Sequence, residues 1–118
     1  MLKYILAFII LIHGLIHFIG FTKAFNYAVI TQLTKEVSKS AGMLWLVTAF
    51  LFIATAALLL LKNESWPFIG IAAAIISQVL IINTWNDAKF GTIVNIIILL
   101  VAIATWYGKL PSLNSGTA

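Results

Sequence analysis

The chain of 118 residues has no cysteine and no arginine, and it carries only three acidic side chains. Without cysteine it cannot form a disulfide, a thiolate zinc site or an iron–sulfur cluster. Without arginine it lacks the side chain best suited to bidentate binding of phosphate, and it has no basic patch with interleaved aromatic residues, so nucleic acid is excluded as a partner. It also has no glycine-rich phosphate loop. These absences argue against a soluble enzyme and against a nucleic-acid-binding domain.

Charge is scarce as well, because charged residues make up 8% of the chain, against roughly 25% in a soluble domain. Hydrophobic residues make up 63%, and the mean hydropathy is +1.12. Four windows contain no charged residue: 4–22, 40–61, 65–86 and 90–108. A helix needs about 20 apolar residues to cross a bilayer, and each window has about that length. The sequence therefore predicts an all-α integral membrane protein, an antiparallel four-helix transmembrane bundle.

The membrane-spanning helices are predicted at about 4–21, 42–61, 67–83 and 90–107, within a single domain of residues 1–110 that is followed by a disordered polar tail, 111–118. The first apolar run is too long for the h-region of a signal peptide, and no small-x-small cleavage site follows it, so we interpret it as a membrane anchor. Pro67 is predicted in the first turn of the third helix, where its missing N–H leaves no hydrogen bond unmade.

The first connection, residues 23–41, is too long for a tight turn and is not purely polar. Its apolar residues recur at spacings of three and four: Tyr27, Ile30, Leu33 and Val37. This pattern predicts a short amphipathic helix between helices 1 and 2, lying in the membrane interface or folded over the mouth of the bundle. An interfacial loop is the plainer alternative to a gating lid.

Tyrosine and tryptophan prefer membrane interfaces, where the ring and its polar tip both find a suitable environment. All seven such residues lie near predicted helix ends and none near the middle of a helix: Tyr4, Trp66, Trp106 and Tyr107 at one face, and Tyr27, Trp45 and Trp85 at the other. Their placement supports the four-helix prediction.

Orientation is not decided by charge, because each face holds four positive groups: Lys3, Lys62, Lys109 and the α-amino group against Lys23, Lys35, Lys39 and Lys89. We expect both termini in the cytoplasm, because Lys3 and the amino group stand beside the first helix. The abundance of isoleucine, asparagine and lysine is compatible with a bacterial inner-membrane protein from an AT-rich genome.

Polar residues inside the apolar windows are the first candidates for function, because a polar group in hydrocarbon is costly without a partner. His13 and His17 are four residues apart and lie on one face of the first helix. Gly14 and Gly20 lie close to that face and predict a close approach by a neighbouring helix.

Counting from the helix ends predicts that each of the four helices places a polar side chain at one depth, with a further histidine about one turn deeper. Those at one depth are His17, Thr48, Gln78 and Asn95, and the deeper one is His13. Nearer the surface lie Trp85, Asp87 and Lys89. The sequence therefore predicts a polar cavity that opens towards one face, with these eight residues as candidate ligand-binding residues.

Each of these features also has a structural interpretation. His17 with Gln78 and Asn95 could equally be a hydrogen-bonded network that holds the bundle together. Thr48 and Thr55 favour helix packing, because a threonine hydroxyl can bond to its own helix backbone. Asp87 could cap the fourth helix, or it could be an ionisable partner for lysine or for a ligand.

A metal or haem role would use the same two histidines. A pair at i and i+4 can bind one metal ion from a single helix, but a site needs further ligands, and the motif lacks the internal glutamate of a zinc hydrolase. His13 and His17 cannot bind opposite faces of one haem, so one of them would be the sole axial ligand, or a dimer would supply the second. The first helix has no carboxylate of the kind that drug/proton antiporters use. No catalytic constellation is recognisable, and the sequence favours a protein that is not an enzyme.

Several segments resemble an uncharacterised group of small bacterial membrane proteins over nearly the whole chain. They are the run of residues 13–21, the Gly-Met-Leu-Trp-Leu of 42–46, and Ser77-Gln78 together with residues 85–92. In layout the chain is also similar to the DoxX-like four-helix membrane proteins. That likeness implies an association with redox partners and quinone-linked processes, although the absence of cysteine argues against a thiol-based role.

We expect the chain to bind a small amphipathic or apolar ligand, such as a quinone or a lipid, in the cavity beneath residues 23–41. His17, Gln78 and Asn95 would bind its polar end, and Asp87 and Lys89 would lie at the mouth. The alternative is an accessory or assembly subunit of a larger membrane complex. In either case the bundle could form a homo-oligomer. A second alternative is a haem or metal protein that uses His13 and His17.

Overall fold

The computed structural model describes residues 1–108, in which the helices are α1 (Leu2–Ala24), α2 (Lys39–Leu60), α3 (Trp66–Asn83), α4 (Trp85–Ala88) and α5 (Gly91–Trp106). No strand occurs within that range, so the predicted all-helical bundle is confirmed. The expected polar tail at 111–118 and the predicted domain end at 110 lie outside the described residues.

Three helices, α1, α2 and α3, are long and apolar enough to cross a membrane, while α5 has only 16 residues. α1 extends beyond its predicted bounds at both ends, taking in Lys3 and Lys23. Lysine has a good helix propensity, so the helix continues through both lysines although they mark the ends of the uncharged window. α4 is a single turn that the sequence did not indicate, and it takes up part of the connection between α3 and α5.

Small residues bring α1 and α2 into close antiparallel contact. The α-carbon of Gly14 faces the β-carbon of Phe52, Gly20 faces the ring of Trp45, and Gly42 faces the side chain of Ala24. A β-carbon on Gly14 would lie 2.7 Å from the Phe52 β-carbon. The close approach predicted at Gly14 and Gly20 is therefore confirmed.

The four long elements are arranged in the order α1, α2, α3, α5 around the bundle, and each of the first three contacts the next along much of its length. α3 presents a stripe of small side chains to the interior: Gly70, Ala73, Ala74 and Ser77. By contrast, α1 and α5, which close the ring, contact each other at few points. The bundle is therefore least tightly packed at the seam between α1 and α5.

The prediction of an amphipathic helix between helices 1 and 2 is wrong, because residues 25–38 form no helix. α1 ends where Asn26 adopts a left-handed conformation (φ 57°), and the N–H groups of Asn26 and Tyr27 close the helix end on the carbonyls of Lys23 and Thr22. The chain then crosses the end of the bundle as an irregular segment, which we call the cover loop. Leu33 is its one buried side chain. Apolar spacing alone did not reveal that contacts with the bundle would replace local helical hydrogen bonds.

Two of the aromatic residues expected at the interface instead point into the bundle. Trp66 is fully buried and Trp45 is 5% exposed, whereas Tyr4, Trp106 and Tyr107 are more than half exposed. Trp45 fits inside because Gly20 leaves room for its ring. A position near a helix end does not determine which way a side chain faces.

Candidate functional site

A hydrogen-bond network joins α1, α3 and α5 at the centre of the site. His13 Nε2 lies 3.0 Å from Asn95 Oδ1, and His17 Nε2 lies 2.7 Å from Ser77 Oγ. The Asn95 amide donates to Ser77 Oγ at 3.1 Å and to the side-chain oxygen of Gln78 at 3.0 Å. Gln78 in turn donates to Thr92 on α5 at 3.0 Å. Asn95 is therefore the hub, with three partners on two neighbouring helices.

The network assigns the hydrogens on both imidazole rings. His17 Nδ1 lies 2.7 Å from the carbonyl oxygen of His13, which only accepts, so Nδ1 carries the hydrogen. In the neutral ring, Nε2 then accepts from the Ser77 hydroxyl, and Ser77 is left free to accept from Asn95. His13 donates through Nε2 to Asn95, so its Nδ1 keeps a lone pair. Every contact in this arrangement joins one donor to one acceptor.

Aromatic rings pack around the two histidines. The His13 and His17 ring centroids are 4.8 Å apart, and the Phe52 ring lies 4.9 Å from that of His13 and 5.1 Å from that of His17. Trp45 lies 5.2 Å from His17. These contacts confine both imidazoles to one orientation.

A cavity of about 330 Å³ lies beside the histidines, between α1 and α5 and beneath the cover loop. Its polar lining comes from His13, His17, Gln32 and Asp87. The rest of the wall is mostly apolar and is contributed by Ile16, Ile19, Leu33, Trp45, Ile81, Phe90 and Val94. The site therefore combines an apolar body with a few polar groups, which is the usual composition of a small-molecule site.

The cover loop is fastened over this cavity at three points. Thr34 donates to one Asp87 carboxylate oxygen through its backbone N–H and through its hydroxyl, both at 2.9 Å. The Lys23 ammonium donates to the Leu33 carbonyl, and Lys35 donates to the Asn83 carbonyl at 3.1 Å. The backbone N–H and the hydroxyl of Thr34 hold the pKa of Asp87 below its usual value, because both donate to the ionised form.

We expect Asp87→Ala to release the cover loop, measured as faster amide hydrogen exchange over residues 30–37. In the wild type this protection should hold through neutral pH and disappear as the pH falls below about 4, through the lowered pKa of Asp87. Glu36→Ala removes an exposed acidic side chain from the same loop and should leave the protection intact. Equal exchange in Asp87→Ala and wild type would contradict this assignment.

Six of the eight predicted site residues divide into three groups. His13, His17 and Asp87 line the cavity. Gln78 and Asn95 belong to the network behind it, and neither lines the cavity wall. Thr48 bonds to the carbonyl of Leu44 on its own helix and joins neither group.

The two remaining candidates near the mouth lie outside the cavity. Trp85 lines a second, smaller pocket with Thr34 and Lys35, and Lys89 is exposed, with its ammonium 5.6 Å from the ring of Phe90. Asp87 does not cap α5, where no side chain caps the N-terminus. Asp87 lies within α4, before α5 begins, and its carboxylate accepts from Thr34.

Sequence reasoning did not recognise the central position of Ser77, the bond partner of His17. The signal was present in the small residues Gly70, Ala73 and Ala74, which precede Ser77 at helical spacing and mark the inward face of α3. Gln32 and Trp45 on the cavity wall were also missed, and no pattern of the sequence places the cover loop against α1. The metal alternative finds little support, since no group of three histidine or acidic side chains comes together within residues 1–108, and both ring nitrogens of His17 are already bonded.

Comparison with family models, with curated proteins and with solved structures finds no match to this chain. The resemblance to small bacterial membrane proteins and to the DoxX-like layout stays a prediction.

Proposed function

We propose that this chain is an integral protein of a bacterial inner membrane whose cavity binds a small amphipathic or apolar molecule, quinone-like or lipid-like. The observation that carries the proposal is the apolar cavity of about 330 Å³ with His13 and His17 on its wall. An engineered cavity of about 150 Å³ holds benzene, so this one has room for a substituted ring or the end of a lipid chain.

Membrane insertion is supported by the outer surface of the bundle. Large apolar side chains are more than half exposed on each long element, including Phe8, Phe50, Ile75 and Leu100. A helix that is apolar on all sides is buried in protein or in lipid. Lipid is the surrounding that would cover these residues, and α1, α2 and α3 have the length to span it.

The position of the ring hydrogen on His13 indicates which polar group a ligand would carry. Because Nε2 donates to Asn95, Nδ1 is left as an acceptor on a ring that lines the cavity. A ligand hydroxyl, as on a quinol or a lipid alcohol, would supply the matching donor. Ile16, Ile81 and Val94 would contact its apolar body.

The position of the cavity supports uptake from the bilayer. Its lining includes residues of α1 and α5, two neighbouring helices that contact each other at few points. The water-facing side is covered by the loop that Asp87 and Thr34 fasten. An apolar molecule could pass between α1 and α5 with little disturbance of the other helix pairs.

The test is a cavity-filling substitution that leaves the hydrogen-bond network untouched. Ala88 lines the cavity, and Ala88→Phe should remove most of the copurifying lipid-soluble ligand and weaken binding of an added short-chain quinol at least tenfold. Ala72→Phe makes the same change on the exposed face of α3 and should retain wild-type binding. Ligand would be measured by mass spectrometry of solvent extracts, and quinol binding by quenching of tryptophan fluorescence.

Other outcomes would contradict the proposal. Unchanged ligand and quinol binding in Ala88→Phe would place any ligand elsewhere. A stable protein companion in native purification, without a small molecule, would favour the accessory-subunit function. A visible haem absorption band would favour axial ligation by a histidine.

A further inference from the structure

At the end of the bundle opposite the cover loop, three buried polar groups have no hydrogen-bond partner in the described part of the chain. They are the Lys3 ammonium, the Trp66 indole N–H and the Thr105 hydroxyl. Each of these residues is at most 1% exposed. Buried polar groups are nearly always hydrogen-bonded in native proteins, so three orphaned donors at one end of a small bundle call for an explanation.

Helix register places the three residues at one level. α1 and α5 are antiparallel, and His13 lies opposite Asn95. Lys3 lies as many residues before His13 on α1 as Thr105 lies after Asn95 on α5, so these two residues are at the same level. The same count along α3, starting from Ser77 opposite Asn95, ends beside Trp66. Side-chain packing agrees with this register. Trp66 belongs to the same cluster of buried apolar residues as Leu6, which is one turn from Lys3, and Ala102, which is one turn from Thr105.

The Thr105 hydroxyl differs from four other threonine hydroxyls that lie in helices or directly after one. The hydroxyls of Thr22, Thr48, Thr55 and Thr84 each donate to the backbone carbonyl four residues earlier. Thr105 makes no such bond. Its hydroxyl is therefore available to a group outside its own helix.

The three groups share one chemistry, because a lysine ammonium and an indole N–H only donate, and a hydroxyl can donate. The Lys3 ammonium lies 5.4 Å from the centre of the Tyr4 ring, a cation–π contact that supplies no oxygen acceptor. A cation with two neutral donors at the same level of the bundle matches a group with several anionic oxygens.

The surroundings indicate where such a group would come from. Tyr4, Trp106 and Tyr107 form an exposed aromatic belt at this end of the bundle. In a membrane protein such a belt lies at the level of the lipid headgroups, where phosphates are concentrated.

We propose that Lys3, Trp66 and Thr105 form a binding site for a phosphate group, supplied by an anionic phospholipid headgroup or by free phosphate. The site lies at the opposite end of the bundle from the cavity and does not depend on the proposed ligand-binding function. The ammonium balances the charge, and the indole N–H and the hydroxyl each donate to a phosphate oxygen.

The test compares melting temperatures in a neutral maltoside detergent during titration with phosphatidylglycerol, with phosphatidylcholine of the same acyl chains, or with inorganic phosphate. Lys3→Met removes the charge and keeps the length of the side chain, and Trp66→Phe removes the N–H. Lys62→Met is the matched control, because Lys62 is exposed at the same end of the bundle.

We expect phosphatidylglycerol to stabilise the wild type and Lys62→Met, with binding weakened about tenfold or more in Lys3→Met and a few-fold in Trp66→Phe. Without lipid, Lys3→Met should melt at or above the wild-type temperature, because it no longer buries an unpaired charge. Stabilisation by phosphatidylglycerol alone assigns the phosphate to lipid, and equal stabilisation by inorganic phosphate assigns it to a soluble anion. Equal lipid binding in Lys3→Met and wild type, or equal loss in Lys62→Met, would overturn the proposal.

Discussion

Asn95→Leu is expected to lower the free energy of unfolding by about 2–5 kcal/mol. The change removes three hydrogen bonds at once and leaves His13 Nε2, Ser77 and Gln78 without their shared partner. Hydrogen bonds between membrane helices average about 0.6 kcal/mol each, and the loss of three of them gives the lower end of the expected range. The upper end is higher because a buried polar group left without a partner costs about 1–3 kcal/mol. Reversible unfolding in mixed micelles measures the difference.

Asn83→Leu is the control for this prediction, because the Asn83 side chain is exposed at the end of α3. Its effect should stay within about 0.5 kcal/mol. The double variant Ser77→Ala with Asn95→Leu should lose less stability than the two single variants together, since both changes break the same bond. Additive losses would show that Asn95 and Ser77 do not act as one network.

Gly14→Ala is expected to destabilise the bundle by about 1–3 kcal/mol, the range for an overpacked core, despite the better helix propensity of alanine. The added carbon would lie 2.7 Å from the Phe52 β-carbon and 3.2 Å from the backbone oxygen of Ala49. Neither atom can rotate away, so α1 and α2 must separate. Because the Phe52 ring contacts both histidine rings, the separation should also disturb the site.

Gly70→Ala is the matched control in the same bundle. Its nearest neighbour is the terminal methyl of Thr55 at 3.1 Å, which requires a shift of only a few tenths of an ångström. We expect its stability to stay within about 1 kcal/mol of the wild type, measured by the same unfolding assay. Wild-type stability in Gly14→Ala would show that the interface between α1 and α2 can relax around an extra methyl group.

These predictions separate two roles within one polar cluster. Asn95 and Ser77 hold the helices together and contribute no surface to the cavity, whereas His13 joins the network through one ring nitrogen and lines the cavity. The structural and functional interpretations of the polar residues are therefore compatible. Variants of Asn95 should change folding, and changes on the cavity wall should change binding.

The helices were predictable because each forms from local sequence, and long uncharged runs leave few alternatives. The inward face of α1 was also predictable from the spacing of His13, Gly14, His17 and Gly20. The cover loop was not, because its apolar spacing fits a helix and its actual conformation depends on Asp87 and on the end of the bundle. Trp45 and Trp66 were assigned to the interface because they lie near helix ends, but a position along a helix does not determine the direction in which a side chain points about the helix axis.

The sequence by itself determined the all-helical architecture, the four apolar elements and the polar residues that must find partners inside them. Only the tertiary structure decided which partners they find. His17 bonds to Ser77 and not to Gln78, Asp87 fastens a loop and does not cap a helix, and Lys3 is buried with Trp66 and Thr105 at the far end. The physical reason is that composition and periodicity act within one helix, whereas hydrogen-bond partners are set by the register and rotation of neighbouring helices.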